Sequence, residues 1–217
     1  MAKAPRKIAI IGPQCAGKTT VAQALAQYAL RPVTVKFAQP IYDVLAALDR
    51  PKHRLFMQEF ADVAKRHFGQ DVFVNLMVPQ VDQAIASRAD LILCDDLRYL
   101  AEADLLQETF YLVFVDAPEA VRGQRAAAQG LAFNARHNSE AELDALKYRA
   151  DFVVSNHGNL EDLLLEVAQV AESLDLKRPG WWRRIKGFFY WPVHFFRFIL
   201  TIGPRIYKVN EGDALPH

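Results

Sequence analysis

Cysteine is scarce in this chain: 217 residues contain two, Cys15 and Cys94. Two cysteines do not make a disulfide framework, and a reducing cytoplasm is the simplest expectation. Long hydrophobic runs are missing as well. The most apolar stretch, 188–202, is interrupted by Pro192, His194 and Arg197. It falls short of the roughly 20 apolar residues that a membrane-spanning helix needs. The N-terminus, Met1 to Lys7, is basic, but the apolar run after it is only about five residues, so no secretory signal is expected. No internal repeat and no low-complexity tract is present, which argues against a solenoid or a disordered linker protein.

What the chain does have is unevenly spread. An apolar fraction of 52% is ample for one core, and the length suits one domain with an appendage. The net charge of +1 is the balance of two unlike parts. Residues 177–217 hold eight Lys or Arg against two Asp or Glu, while residues 1–176 hold 18 against 23. The same C-terminal segment carries ten of the 24 aromatic residues, including all three tryptophans. The expected organisation is therefore a mildly acidic domain over 1–176 and a basic, aromatic tail over 177–217.

The most informative local feature is Gly12-Pro13-Gln14-Cys15-Ala16-Gly17-Lys18-Thr19. It fills every fixed position of G-x-x-x-x-G-K-[ST], the phosphate-binding loop. The apolar strand Lys7 to Ile11 precedes it, and a helix is expected from Thr20 to Leu30. Strand, glycine loop and helix in that order distinguish a phosphate loop from an ordinary glycine turn. Glycine lets the backbone close around a polyphosphate, and the N–H groups of Gly12, Cys15, Ala16 and Gly17, with the helix N-terminus, face the anion. Lys18 is expected to reach the β- and γ-phosphates of ATP, and the Thr19 hydroxyl to ligate Mg²⁺. Thr20 is a weaker candidate for an α-phosphate contact. Cys15 occupies a free position of the motif and reads as filler rather than nucleophile.

Downstream, strands are expected at 32–37, 90–94, 110–115 and 152–154. Helices are expected at about 41–48, 52–68, 72–87, 99–108, 118–129, 140–148 and 160–174. Strands that alternate with helices imply a parallel sheet with helices on both faces. Continuous apolar strands such as Leu91 to Cys94 agree, because they are buried on both sides. The expected fold is a three-layer α/β/α arrangement around a parallel sheet of about five strands.

Asp95-Asp96 close the strand that ends at Cys94. An acidic residue at the carboxyl end of a parallel strand near a phosphate loop positions Mg²⁺, directly or through water. Both are candidates: Asp95 is first past the strand. Arg98 follows, and a guanidinium there suits a phosphate held by two parallel hydrogen bonds. Its alternative is an ion pair with Glu102, four residues on, and Glu102 could also orient it. A third group is Arg122, Arg125 and Arg136, with His137 nearby. Arg125 and Arg136 are the better candidates for a lid that closes over a transferring phosphoryl group; solvated helix charges are the alternative.

Taken together, these segments resemble the bacteriophage deoxynucleoside monophosphate kinases within the P-loop nucleotide kinase superfamily. The family's F-A-x-P-[LI] segment is matched by Phe37-Ala38-Gln39-Pro40-Ile41. Its D-V-R-F-x-x-E segment is matched by Asp96-Leu97-Arg98-Tyr99-Leu100-Ala101-Glu102. Its S-E pair and N-x-G turn are matched by Ser139-Glu140 and Asn156-His157-Gly158. The likeness covers about 6–175. It implies transfer of the ATP γ-phosphate to a deoxynucleoside monophosphate, with Mg²⁺. Arg98 would hold the acceptor phosphate, and Phe37 would line the nucleoside pocket. Asp96, as the family's equivalent position, and Glu102 belong to the same acceptor segment. The region 54–73, with Gln58 and Arg66, would form the monophosphate-binding part, and Asn156 to Gly158 would sit near the ATP base. The chain departs from the family at Tyr42, where lysine is usual, and the helix that follows is less alike.

The tail lies outside this resemblance. Basic residues mixed with Trp and Phe suit packing or oligomerisation, a membrane surface or single-stranded nucleic acid. Two other functional readings follow: a P-loop kinase acting on a modified base or hydroxyl within DNA, and a membrane-associated P-loop NTPase switch.

Overall fold

The computed structural model describes residues 4–51, 53–131, 133 and 142–176. Arg136, the Ser139-Glu140 pair and the whole tail lie outside them. Along the chain come β1 (Arg6–Ile11), α1 (Lys18–Ala26), β2 (Pro32–Val35), α2 (Gln39–Ala47), α3 (Arg54–Phe68), α4 (Val72–Ala86) and β3 (Leu91–Cys94). There follow α5 (Leu100–Leu106), β4 (Tyr111–Asp116), α6 (Glu119–Ala128), α7 (Leu143–Arg149), β5 (Phe152–Ser155) and α8 (Leu160–Ser173). The five strands pair in parallel in the order β2-β3-β1-β4-β5. The fold is the three-layer α/β/α arrangement with a five-stranded parallel sheet.

Both faces of the sheet are covered because successive side chains of a strand point to opposite sides. From β1, Ile8 and Ile10 pack with Val21 and Leu25 of α1 and with Leu163 and Val167 of α8. Ala9 and Ile11 point the other way, into a core shared with Phe73 and Met77 of α4, Leu106 of α5 and Leu146 of α7. The isoleucines of β1 and Ile92 are fully buried, and each such burial contributes about 1.5–3 kcal/mol. Among the described residues, no helix is long and apolar enough to cross a membrane.

The element boundaries differ from the sequence expectation mainly at α1. It begins at Lys18 rather than Thr20, because Gly17 takes a left-handed conformation (φ 101°) that turns the loop straight into the helix. It ends at Ala26 rather than Leu30. The Gln27, Tyr28 and Ala29 N–H groups each donate three residues back, to Ala24, Leu25 and Ala26 carbonyls, a tighter winding common at helix ends. The parallel order brings the carboxyl ends of β1, β2 and β3 together, and that edge carries the residues singled out above.

Candidate functional site

The loop after β1 is shaped by its backbone. Gly12 and Gly17 sit at φ 148° and 101°. A Cβ at Gly12 would lie 2.5 Å from the Val115 carbonyl oxygen, and one at Gly17 would run into the Asn156 side-chain amide. Neither position accepts a side chain, and the bare Cα atoms let the loop pack directly against Val115 and Asn156. Cys15 is also left-handed, at φ 60°, a conformation that a non-glycine residue holds only where its surroundings enforce it.

Those surroundings are specific. Asn156, buried just past β5, donates from Nδ2 to the Ala16 carbonyl at 2.7 Å. Arg125 of α6 donates to the Cys15 and Ala16 carbonyls at 3.5 and 3.4 Å, and to the Asn156 carbonyl and Oδ1 at 3.2 and 3.1 Å. Burial pulls the Arg125 pKa down. Arg122 donates to the carbonyls of Ala117 and Gln14. These cations therefore brace the loop from behind. Arg125, an expected lid cation, here divides its donors between loop carbonyls and Asn156. Asn156 is likewise a loop support, and Gly158 serves the entry to α8, where a Cβ would meet Asp162 Oδ2 at 2.7 Å. Lys18 folds back, donating from Nζ to the carbonyls of Gly12 at 2.6 Å and Pro13 at 2.8 Å. Thr20 is half-buried.

The two strand-end carboxylates divide their work. Asp95, buried, accepts from the Thr19 hydroxyl at 3.0 Å. Its other oxygen is 2.8 Å from Nζ of Lys36, at the end of β2. Asp96 turns away and accepts from the main-chain N–H groups of Phe37 and Ala38, at 3.1 and 3.0 Å, and from the Cys94 thiol. Burial pushes the Asp96 pKa up against the pull of those N–H groups, and the Cys94 thiol rises with burial too. Asp96 is thus the rivet of the turn between β2 and α2, and Asp95 is the carboxylate beside the loop hydroxyl. Of the two expected metal-side carboxylates, Asp95 is the one hydrogen-bonded to Thr19, and Asp96 is engaged with main-chain N–H groups.

The donor set suits the groups that the motif implies. Among the described residues there is no cluster of three His, Cys, Asp or Glu side chains able to hold a metal. A hydroxyl and one carboxylate are what Mg²⁺ uses when phosphates supply its other oxygens. The glycine cradle and Lys18 fit the polyphosphate.

Beyond Asp96 lies a cavity of about 350 Å³, lined by Phe37, Ile41, Tyr42, Met57, Phe73 and Tyr99, with Gln58, Lys65, Asp96, Arg98 and Glu102 as its polar members. Its size falls in the range of small-molecule sites. Arg98 is half-buried. Among the described residues, no acceptor takes a hydrogen bond from its guanidinium. Glu102 does not pair with it. Its Oε2 accepts from the Arg98 and Tyr99 main-chain N–H groups at 3.0 and 3.3 Å, and its Oε1 accepts from Lys65 Nζ at 3.0 Å. Glu102 therefore orients Arg98 through the backbone and does not take its guanidinium. Burial still outweighs Lys65 and raises the Glu102 pKa. Lys65 Nζ also lies 3.3 Å from the Tyr99 ring centroid, a cation–π contact that fixes the ring in the cavity wall.

Gln58 and Phe37 are on the cavity wall. Arg66 is not: it is exposed, and its neighbour Lys65 faces the cavity instead. Lys36, Tyr42, Lys65 and Tyr99 were not singled out as site residues by the sequence reading. The signals were present, since Lys36 directly precedes Phe37 and Tyr99 directly follows Arg98. A further group stands at the end of β4, where Asp116 accepts from Lys147 Nζ at 2.7 Å with His157 at 3.6 Å. The Lys147 hydrogen bond holds the Asp116 pKa below the usual carboxylate range, against its partial desolvation.

No family model matches the chain, and no curated protein does. Solved structures do. TT1252 from Thermus thermophilus is 24% identical, over 81% of this chain and 100% of that one, with a TM-score of 0.52. The tunicamycin resistance protein of Deinococcus radiodurans is 16% identical, over 79% and 97%, with a TM-score of 0.52. A shikimate kinase from Bacteroides thetaiotaomicron is 13% identical, over 79% and 99%, with a TM-score of 0.46. At these identities the likeness is one of fold.

Proposed function

We propose that this protein transfers the γ-phosphoryl group of ATP to a nucleoside monophosphate, in the first instance a deoxynucleoside monophosphate, giving the diphosphate. The observation that carries the reading is the Arg98 guanidinium, facing an aromatic-walled cavity next to the Thr19–Asp95 pair. An aromatic wall takes a base, an unoccupied guanidinium takes a phosphate by two parallel hydrogen bonds, and the polyphosphate loop is adjacent. A switch protein has no use for such a second anion site. The resemblance to the bacteriophage deoxynucleoside monophosphate kinases supports the same acceptor.

On this reading Lys18 exchanges its two carbonyl partners for phosphate oxygens. Thr19 and Asp95 would hold Mg²⁺, which would supply neutralisation of phosphate charge. Arg98 aligns the acceptor phosphate, Phe37 and Tyr99 flank its base, and Gln58 and Lys65 offer polar contacts. An acceptor oxygen bonds to the γ-phosphorus as the bond to the β–γ bridging oxygen breaks, and ADP leaves with that electron pair. The acceptor oxygen is already ionised, so no general base is needed. Arg136 remains the candidate lid cation. Residues 1–176 would be the catalytic domain, and 177–217 a localisation or assembly element that turnover does not need.

The test is ADP release from ATP and Mg²⁺, run against deoxy- and ribonucleoside monophosphates with single-stranded DNA as a further acceptor. Strong stimulation by one or a few deoxynucleoside monophosphates is expected. Stimulation by DNA alone, or nucleotide binding with no acceptor dependence, would overturn the assignment.

A further inference from the structure

Lys36 has no part in the reading above, yet it occupies the most contested position in the site. Its ammonium takes Asp95 Oδ1 at 2.8 Å while the Thr19 hydroxyl takes Oδ2 at 3.0 Å. Both oxygens of the metal-side carboxylate are therefore engaged. The Asp95 side chain is 5% exposed and that of Lys36 32%, so the pair is covered on the carboxylate side and reachable from the ammonium side. Burial would lower the Lys36 pKa, but the Asp95 hydrogen bond and charge, with Asp96 behind them, raise it above the ordinary lysine value.

The backbone under Lys36 is clamped. The Lys36 N–H donates to Gln80 Oε1 at 3.1 Å, and Gln80 Nε2 donates back to the Lys36 carbonyl at 3.0 Å. Phe37 and Ala38, next in the chain, are held by Asp96. The main chain at this strand end is held in place, and the flexible four-carbon stem is what remains free to move.

We infer that Lys36 is a built-in stand-in for the divalent cation: its ammonium holds the metal's place on Asp95, and metal loading displaces it. The inference rests on the proposed assignment of Thr19 and Asp95 as the Mg²⁺ ligands. The physical argument is charge balance. A carboxylate beside a polyphosphate site repels its ligand unless a cation neutralises it. With Lys36 in place, the site tolerates phosphates without metal, and a metal must compete with an ammonium already bound. Without Lys36, phosphates meet a bare carboxylate, and a metal meets no competitor.

The readout is therefore the gain in nucleotide affinity that Mg²⁺ provides. The full-length protein is titrated calorimetrically with a non-hydrolysable ATP analogue, once in EDTA and once in saturating Mg²⁺. No acceptor is present and no turnover is measured. Lys36→Met is expected to enlarge the ratio of the two affinities at least about fivefold over the unsubstituted protein, mostly by weakening binding in EDTA. Lys36→Arg keeps the cation and should keep the ratio. Should Lys36→Met fail to fold, Lys36→Gln carries the same comparison. An unchanged or smaller ratio overturns the inference, as it would if Lys36 contacted phosphate equally with and without metal. If the unsubstituted protein binds the analogue in neither condition, the nucleotide-site reading falls and this inference with it. Binding with an unchanged ratio removes only the inference.

Discussion

The phosphate loop and the Arg98 cavity sit at the ends of neighbouring strands, but they are built by opposite rules. The loop is made of backbone: its glycines, its left-handed Cys15 and its carbonyls set the shape, and Lys18, Arg122 and Arg125 all donate to its main chain. The cavity is made mainly of side chains from α2, α3, α4 and α5 and from the segments that follow β2 and β3. Of its two cations, Lys65 is paired with Glu102, and the Arg98 guanidinium has no hydrogen-bond acceptor among the described residues. Charges in the loop region are already neutralised or braced. The charge in the cavity awaits a ligand. A site of the first kind is pre-shaped for one class of anion, and a site of the second kind takes its selectivity from whichever residues the surrounding segments contribute.

Breaking the loop should cost most. Lys18→Ala is expected to lower kcat/KM for ADP formation by about 3–4 kcal/mol of transition-state stabilisation, measured with the best acceptor from the panel; near-normal turnover would dissolve the contrast. Arg98→Met should act on the other side only. The acceptor KM is expected to rise in proportion to about 1.5–3 kcal/mol of lost charge-assisted hydrogen bonding, with ATP-analogue affinity unchanged. A fall in ATP affinity would mean that the two regions are not separable. Asn156→Ala removes the 2.7 Å bond to the Ala16 carbonyl, which then keeps only Arg125 at 3.4 Å, and takes one acceptor from Arg125. Urea unfolding should register about 1–3 kcal/mol, and metal-free binding of the ATP analogue should weaken with it.

The smallest effect concerns acid stability. The Asp116 pKa is held low in the folded protein by Lys147. Its contribution is therefore present at neutral pH and is lost as pH falls through and below the ordinary aspartate range. Lys147→Met should flatten that acid-side loss, and by less than about 1 kcal/mol, because both side chains are substantially exposed. Urea midpoints at successive pH values from neutrality down through and below the ordinary aspartate range would show it. A Lys147→Met protein as acid-sensitive as the original would mean that this pair stabilises nothing.

This contrast also explains what could be read from the chain alone. The strands and helices were legible because both-face burial leaves continuous apolar strands such as Leu91 to Cys94, and the loop was legible because backbone-built sites demand glycine at set spacings. The division of labour between Asp95 and Asp96 was not, since it depends on which way each side chain leaves the end of β3. The resemblance points to Arg66 and not to Lys65; both lie on α3, and only tertiary contacts such as that of Lys65 with Glu102 distinguish the inward one. Lys36 was overlooked for a similar reason. Its partner is 59 residues away, and nothing local marks a lysine at a strand end as the neighbour of a distant carboxylate.

The Asn156 amide carries one more consequence. It reaches the Ala16 carbonyl across 140 residues of chain, from the last strand of the sheet to the loop after the first. A polypeptide emerging from a ribosome displays the glycine motif well before Asn156, when the brace that shapes it has yet to be made. Because domains assemble only as their distant parts become available, a nascent chain halted before β5 should show no affinity for nucleotide triphosphates. That affinity should appear abruptly, not gradually, once Asn156 clears the exit tunnel.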